Sequence, residues 1–282
     1  MASARNNRRR RRGRGRLGPL FKLLCILAVV VALTMGATVF FQVETVAVSG
    51  NSRYTEDEVV QATGIQVGDN LFHMNKYQIA DQVLQKLPYT KELNIRRSLP
   101  STIVITVTEW DAVARVTAPP AGTVVTLPEE DAGDSSAQEN PPEVATDDWL
   151  ISVGGKLLET ASADSTAITV SGITPIMPRA GTILALPQEE QPKLDALLAL
   201  LGQLETLEMM DRVSSIQLES THVLVRYLER FDVKIPLNAD FNYKLRLLDA
   251  AVVEVEKKLG SQTTGTFDLT QEGYNALYSP AE

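Results

Sequence analysis

Side chains of the kind that build a catalytic centre are few in this sequence and badly spaced for the work. There are two histidines, His73 and His222, and one cysteine, Cys25. His73 follows Leu71-Phe72 in a loop-like stretch and His222 opens a strand-like run. Neither has a Cys, an Asp or a second His at metal-ligand spacing, and HExxH is absent. GxSxG, a Walker-type loop and a GxGxxG after a strand are absent as well. Gly154-Gly155 reads as a hairpin turn rather than a phosphate cradle. The paired acids Glu129-Glu130 fall in a Pro- and acid-rich stretch, where nothing would fix two carboxylates at catalytic separation. Cys25 lies inside an apolar run and reads as a small hydrophobe; as the single cysteine it excludes an intramolecular disulfide. An active site requires a nucleophile with its base, a metal cluster or a phosphate cradle. The expectation is therefore no enzyme, no metal and no cofactor, which leaves main-chain hydrogen bonding and charge as the available chemistry.

Charge divides the chain sharply. Residues 1–22 hold eight Arg and one Lys with no acid, while the rest of the 282-residue chain holds 18 basic and 35 acidic side chains. Such a split implies two different surroundings. Between them, residues 23–41 read LLCILAVVVALTMGATVFF, 19 residues without a charge. At 1.5 Å per residue this is roughly 28 Å of helix, about the thickness of a hydrocarbon core. The run is longer than the apolar stretch of a cleaved signal, and a small-residue cleavage site does not follow it. The reading is a retained single-pass anchor with a basic cytoplasmic tail, since positive flanks stay inside. Anionic lipid beside a spanning segment accounts for the arginines more simply than nucleic acid does.

The elements beyond the anchor follow from local signals. Val43–Asn51 alternates and then turns at Ser49-Gly50-Asn51. Thr55 and Glu58 form a capping box opening a short helix that ends by Gly64. In the GIQVGDNLF loop, Leu71 and Phe72 read as apolar plugs. Asn75 and Gln78 repeat the capping pattern before a helix whose apolar face is Ile79, Val83, Leu84 and Leu87, stopped by Pro88. Two strands follow, residues 89–97 and 102–109, the second with Ile103, Ile105 and Val107 on one face. This order predicts a small α+β layer over residues 43–114, two helices on a three-stranded sheet. Lys76, Lys86, Lys91, Arg96 and Arg97 read as scattered surface charge.

Residues 118–148 contain five prolines and eight acids with no base, a composition too polar to offset chain entropy, so a disordered acidic insertion is expected. Residues 149–270 form a second, β-rich α+β domain. Its signals are a hairpin around Gly154-Gly155, short strands within 168–186 and an amphipathic helix over 192–210. Strands follow at 213–219, 222–228 and 231–237. A helix over 242–259 carries Leu245, Leu248, Val252, Val255 and Leu259; two heptads are too few for a coiled coil, so packing on a sheet is expected. A closing strand at 266–269 and an aromatic tail, 271–282, end the chain.

The runs VSGNSRYTEDEVVQATGIQVGDNLF and LQKLPYTKELNIRRSLPSTIVITVTEWDAVA resemble the POTRA domain of the FtsQ/DivIB family of bacterial division proteins. VSGN, GDNLF and LPSTIVITVTE are the most specific pieces, and Trp110-Asp111 is a local departure. In element order the second domain resembles the family's β domain, so the resemblance covers roughly residues 17–280 apart from the insertion. It implies a membrane-embedded septal scaffold without nucleic-acid binding. The scaffold would link FtsL-like and DivIC/FtsB-like bitopic coiled-coil partners to the septal peptidoglycan synthases. It also implies partner addition at the final strand of the β domain. Carried onto this sequence, that edge falls on Thr266, Phe267, Asp268 and Leu269, followed by Gln271 and Gly273. The side chains of Phe267 and Leu269 suit a buried core as well as a binding role. Two other functions fit a membrane-anchored POTRA-like chain: a secretion or envelope-assembly component, and an anchored cell-wall hydrolase.

Overall fold

The computed structural model describes residues 17–118, 146–162, 165–271 and 276–281. The first element, α1 (Leu17–Phe40), is a helix whose apolar part, Leu20–Phe40, is long and apolar enough to cross a membrane. Its side chains are exposed along its length, Leu24 and Leu33 by 60% and 68%, so no protein core covers them. The helix begins before the uncharged run expected at residues 23–41 because helical geometry tolerates Lys22 near its start.

Beyond the helix lies the expected α+β layer. It consists of β1 (Thr45–Ser49), α2 (Glu56–Thr63), α3 (Lys76–Lys86), β2 (Thr90–Ser98) and β3 (Thr102–Glu109). The capping box forms as read: Thr55 Oγ1 accepts the Glu58 N–H, and the Glu58 carboxylate accepts the Thr55 N–H. The Asn75 side chain likewise accepts from the Tyr77 and Gln78 N–H groups at the start of α3. The strands stand in the order β1-β3-β2, with β1 parallel and β2 antiparallel to β3. Ile103, Ile105 and Val107 point into a core with Val59, Leu71, Val83 and Leu87. Gly50 is fixed by close approach: at φ +80 a Cβ would lie 2.2 Å from the Val107 carbonyl oxygen. Leu71 is fully buried, but Phe72 is not the second plug that the pattern suggested; it is 55% exposed.

The larger sheet begins earlier in the chain than composition suggests. Its first strand is β4 (Ala114–Ala118), which the sequence leaves at the seam between the first domain and the acidic insertion. It is joined by β5 (Asp147–Ile151), β6 (Leu157–Thr160) and β7 (Ile168–Ser171). The chain continues with α4 (Gln191–Thr206), β8 (Val213–Leu218), β9 (His222–Tyr227), β10 (Phe231–Pro236) and α5 (Phe241–Leu259). It closes with β11 (Gly265–Asp268) and β12 (Leu277–Pro280). The insertion expected over 118–148 overlaps strands at both ends, through Ala118 and through Asp147-Asp148. The remainder, 119–145, lies outside the described residues.

The sheet order is β12-β11-β10-β9-β8-β7-β4-β5-β6. Three neighbouring pairs, β4/β7, β7/β8 and β10/β11, are parallel, and the last two are each linked by one helix, α4 and α5 respectively. Parallel neighbours need a crossover of a dozen residues or more, which is why both helices return over the sheet. They touch each other and share one core with the inward side chains of the strands. In β10, Phe231, Val233 and Ile235 are buried and Asp232 and Lys234 are not, the alternation expected of a one-sided sheet. In α5, Leu245, Leu248 and Val252 are buried, while Leu259 is 59% exposed, so the heptad-like stripe runs past the end of the sheet.

Candidate partner-binding edge

The expected edge strand is not the edge. β11 pairs with β10 in parallel register, Phe231↔Gly265 through Lys234↔Asp268. Its other side is covered by β12, with Thr266↔Ser279, Phe267↔Tyr278 and Asp268↔Leu277 antiparallel. What reads as an aromatic tail after residue 271 therefore includes the outermost strand of the sheet. The sequence hides it because LYSP is a short strand ending in proline.

Five of the six expected contact residues have a definite place. Phe267 and Leu269 are fully buried, Phe267 with its ring centroid 5.2 Å from Phe231 and 5.0 Å from Tyr278, so both side chains belong to the core. Thr266 and Asp268 alternate with them and are partly exposed. Asp268 Oδ1 accepts the Thr270 N–H at 2.9 Å and its hydroxyl at 2.6 Å, which holds the Asp268 carboxyl below the usual carboxylate range. Gln271 is exposed, and its carbonyl accepts from the buried Lys244 ammonium at 3.0 Å. Gly273 lies outside the described residues.

Ladder alternation tells which backbone groups face outward. The Gly265 and Leu269 N–H groups bond to Arg230 and Lys234 carbonyls on the β10 side. Hence Thr266 and Asp268 face β12, and within β12 the groups of Ser279 and Leu277 face back. The outward groups belong to Tyr278 and Pro280. Proline has no N–H, so the outer edge of β12 offers one donor, Tyr278, with carbonyl acceptors beside it. β12 is tied down by Ala281 N–H to Thr264 O at 3.0 Å and by the Tyr278 hydroxyl to the same oxygen at 2.8 Å. Gly265 makes that approach feasible: a Cβ there would lie 2.4 Å from Ser279 O.

A set of side chains at the seam between the two sheets escapes sequence reasoning. Tyr89, Leu150 and Leu158 are buried together there, flanked by Tyr54 and Trp110. Glu159 Oε1 accepts from Arg53 at 2.5 Å and from the Tyr89 hydroxyl at 2.7 Å, and the Arg53 guanidinium lies 4.0 Å above the Tyr89 ring. Burial first, then the bond to Glu159, push the Tyr89 phenol well above its ordinary value. The buried Lys156 ammonium donates to Thr90 O at 3.0 Å and Leu84 O at 3.4 Å, and burial lowers its pKa. The Trp110 departure is part of this seam: its indole rests against Gly154, where a Cβ would lie 3.0 Å from the ring. The hydrogen-bonded partners here are 66 to 106 positions apart in the chain, so local patterning carries no signal for them.

Among the described residues, no group of three or more His, Cys, Asp or Glu converges as a metal site. A cleft of about 700 Å³ includes Arg212, Asp211 and Glu229, but the Arg212 guanidinium is engaged by Asp249 at 2.6 Å and the Tyr227 hydroxyl at 3.1 Å.

Residues 41–110 match the model of the FtsQ-type POTRA domain, the segment from the end of α1 through β3. The chain is 34% identical over 74 residues to cell division protein DivIB of Clostridium acetobutylicum, 26% of this chain and 29% of that one. It is 33% identical over 87 residues to cell division protein FtsQ of Corynebacterium glutamicum, 29% of this chain and 39% of the relative. FtsQ of Streptomyces coelicolor is 33% identical over 98 residues, 32% and 37% of the two chains. The matches thus span between 29% and 39% of these relatives' own length. An FtsQ-type POTRA domain directly following an apolar helix, with cell division proteins FtsQ and DivIB as relatives over that region, is what this chain shares with the FtsQ/DivIB family.

Proposed function

We propose that this protein is a membrane-anchored assembly scaffold of the division septum with no catalysis of its own. The observation that carries the reading is the FtsQ-type POTRA domain joined directly to an apolar helix of spanning length. In this reading the Arg-rich residues 1–22 stay cytoplasmic and everything after Phe41 lies outside. FtsL-like and DivIC/FtsB-like bitopic proteins are the partners, and through them the septal peptidoglycan synthases. A partner strand adds to the free side of β12, extending the sheet by main-chain hydrogen bonds. Thr266, Asp268 and Gln271 then act indirectly, by holding β12 in register.

The test is co-purification of the full chain from its native membrane, alongside localisation of a fluorescent fusion. Midcell enrichment with two small bitopic proteins and septal synthases is the expected outcome. Tyr278→Pro, which removes the one outward N–H together with the ring and hydroxyl that tie β12 down, is expected to weaken partner capture by at least about fivefold to tenfold, the worth of about one hydrogen bond. A uniform envelope pattern with secretion or β-barrel components would move the protein to envelope assembly. Peptidoglycan cleavage by the purified ectodomain would make it a hydrolase.

A further inference from the structure

Three exposed apolar side chains, two on the α2–α3 loop and one on the β2–β3 turn, converge where the chain leaves α1. Val67, Phe72 and Leu99 are 77%, 55% and 59% exposed. Scattered exposed apolar residues are ordinary. These three share one end of one domain, which the topology places beside the spanning helix. β1 starts there and is parallel to β3, so the beginning of β3 and the end of β2 lie at the same level. The turn carrying Leu99 is fastened to the chain just after the helix by the Glu44 N–H to Ser101 O at 2.8 Å. The loop carrying Val67 is fastened by Gly68 N–H to Val43 O and Val43 N–H to Asp69 O, both 2.8 Å.

Further along the same loop, the residues before Phe72 reach the helix itself. The last carbonyls of a helix have no partner within it. Here the Asn70 amide donates to Thr38 O at 3.3 Å, and the Leu71 N–H donates to Phe41 O at 3.0 Å. Phe72 packs edge-on against Phe41, and Phe41 against Phe40, each pair with centroids 5.2 Å apart. This places Phe72 within about one helical turn, ~5.4 Å, of the end of α1. The headgroup layer outside the hydrocarbon core is about 5–8 Å thick, so the ring falls inside it. Phe and Leu side chains on a membrane-facing surface bury about 5–10 Å into the headgroup and acyl boundary. The exposed Arg97 adds charge of the right sign: it donates to Met74 O at 3.0 Å, and its guanidinium lies 5.9 Å from the Phe72 ring centroid. The two acids nearby have partners, Glu44 accepting from Ser101 and Asp69 from the Gln66 N–H.

We infer that this end of the POTRA domain, through Val67, Phe72 and Leu99 with Arg97, rests in the headgroup layer of an anionic lipid surface. The inference depends on α1 spanning the bilayer. It adds that the domain is seated on the membrane rather than suspended from it.

The experiment uses the full chain with Cys25→Ala, reconstituted into phosphatidylglycerol-containing vesicles and spin-labelled at one cysteine at a time. Val67→Cys, Phe72→Cys and Leu99→Cys report the face, Val30→Cys reports the anchor, and Val253→Cys on α5 reports free solvent. Labels at 67, 72 and 99 are expected to collide with oxygen and to be shielded from a water-soluble nickel complex, unlike the label at 253. If Val30→Cys is shielded while all three face labels match position 253, the seating is refuted and the anchor stands. If Val30→Cys is itself open to nickel, the anchor fails and the seating fails with it. Shielding in native membranes but not in pure lipid would assign the face to a protein partner and overturn the inference.

Discussion

Replacing Gly265 by alanine tests whether β12 is held as the outer strand by the absence of one side chain. The added Cβ would lie 2.4 Å from Ser279 O, 2.7 Å from Tyr278 Cε2 and 2.9 Å from the Tyr278 hydroxyl oxygen. Ordinary contact begins at about 3.4 Å, so β12 has to retreat by about 1 Å. A side chain could swing away, but Ser279 O is backbone, and it belongs to the rung between Thr266 and Ser279. Retreat also strains the bond from the Tyr278 hydroxyl to Thr264 and the packing of its ring on Phe267. Overpacking of this kind costs about 1–3 kcal/mol, which opens the β11/β12 pair roughly 5- to 150-fold more often. Amide hydrogen exchange reads this directly. The Thr266 and Asp268 N–H groups, which face β12, should lose protection by that factor, while those of β9 keep theirs. Unchanged exchange at Thr266 and Asp268 would refute the claim that this glycine permits the final strand.

Two further outcomes follow from the first domain and the seam. Thr55→Ala removes half of the capping box and should lower the stability of the POTRA domain by about 1 kcal/mol in denaturant unfolding, with Thr55→Ser close to native. Tyr89 has a folded-state pKa raised above its unfolded value by burial and by Glu159. Its contribution is therefore complete below about pH 10 and is lost as pH rises beyond that, because the folded state retains the proton longer. Tyr89→Phe should flatten the decline of stability with pH in that range, and an equally steep decline would contradict it.

The legible parts of the molecule are those whose cause is local. The capping box at Thr55-Glu58, the alternation of Ile103, Ile105 and Val107, and the turn at Gly154-Gly155 each rest on residues within a few positions of one another. The illegible parts depend on distant pairing. Ala114–Ala118 reads as the close of one domain because five residues cannot say which sheet they join; their partners begin at residues 147 and 168. Exposure of Phe72 is illegible for the same reason, since an apolar residue next to the buried Leu71 looks like core until the helix end beside it is placed. At the C-terminus, Thr266–Leu269 reads correctly as a strand, but its rank in the sheet depends on a proline-ended segment that no β-propensity would select.

The rung Ala118↔Asp147 fixes both ends of the acidic segment to neighbouring strands of one sheet. The chain departs from the sheet and re-enters it at nearly the same point, so the fold registers where the excursion starts and stops rather than how long it is. This rung is consequently a natural splice point: a reporter domain with adjacent termini, placed between residues 118 and 147, would hang from the sheet while leaving α1, the POTRA domain and β12 as they are.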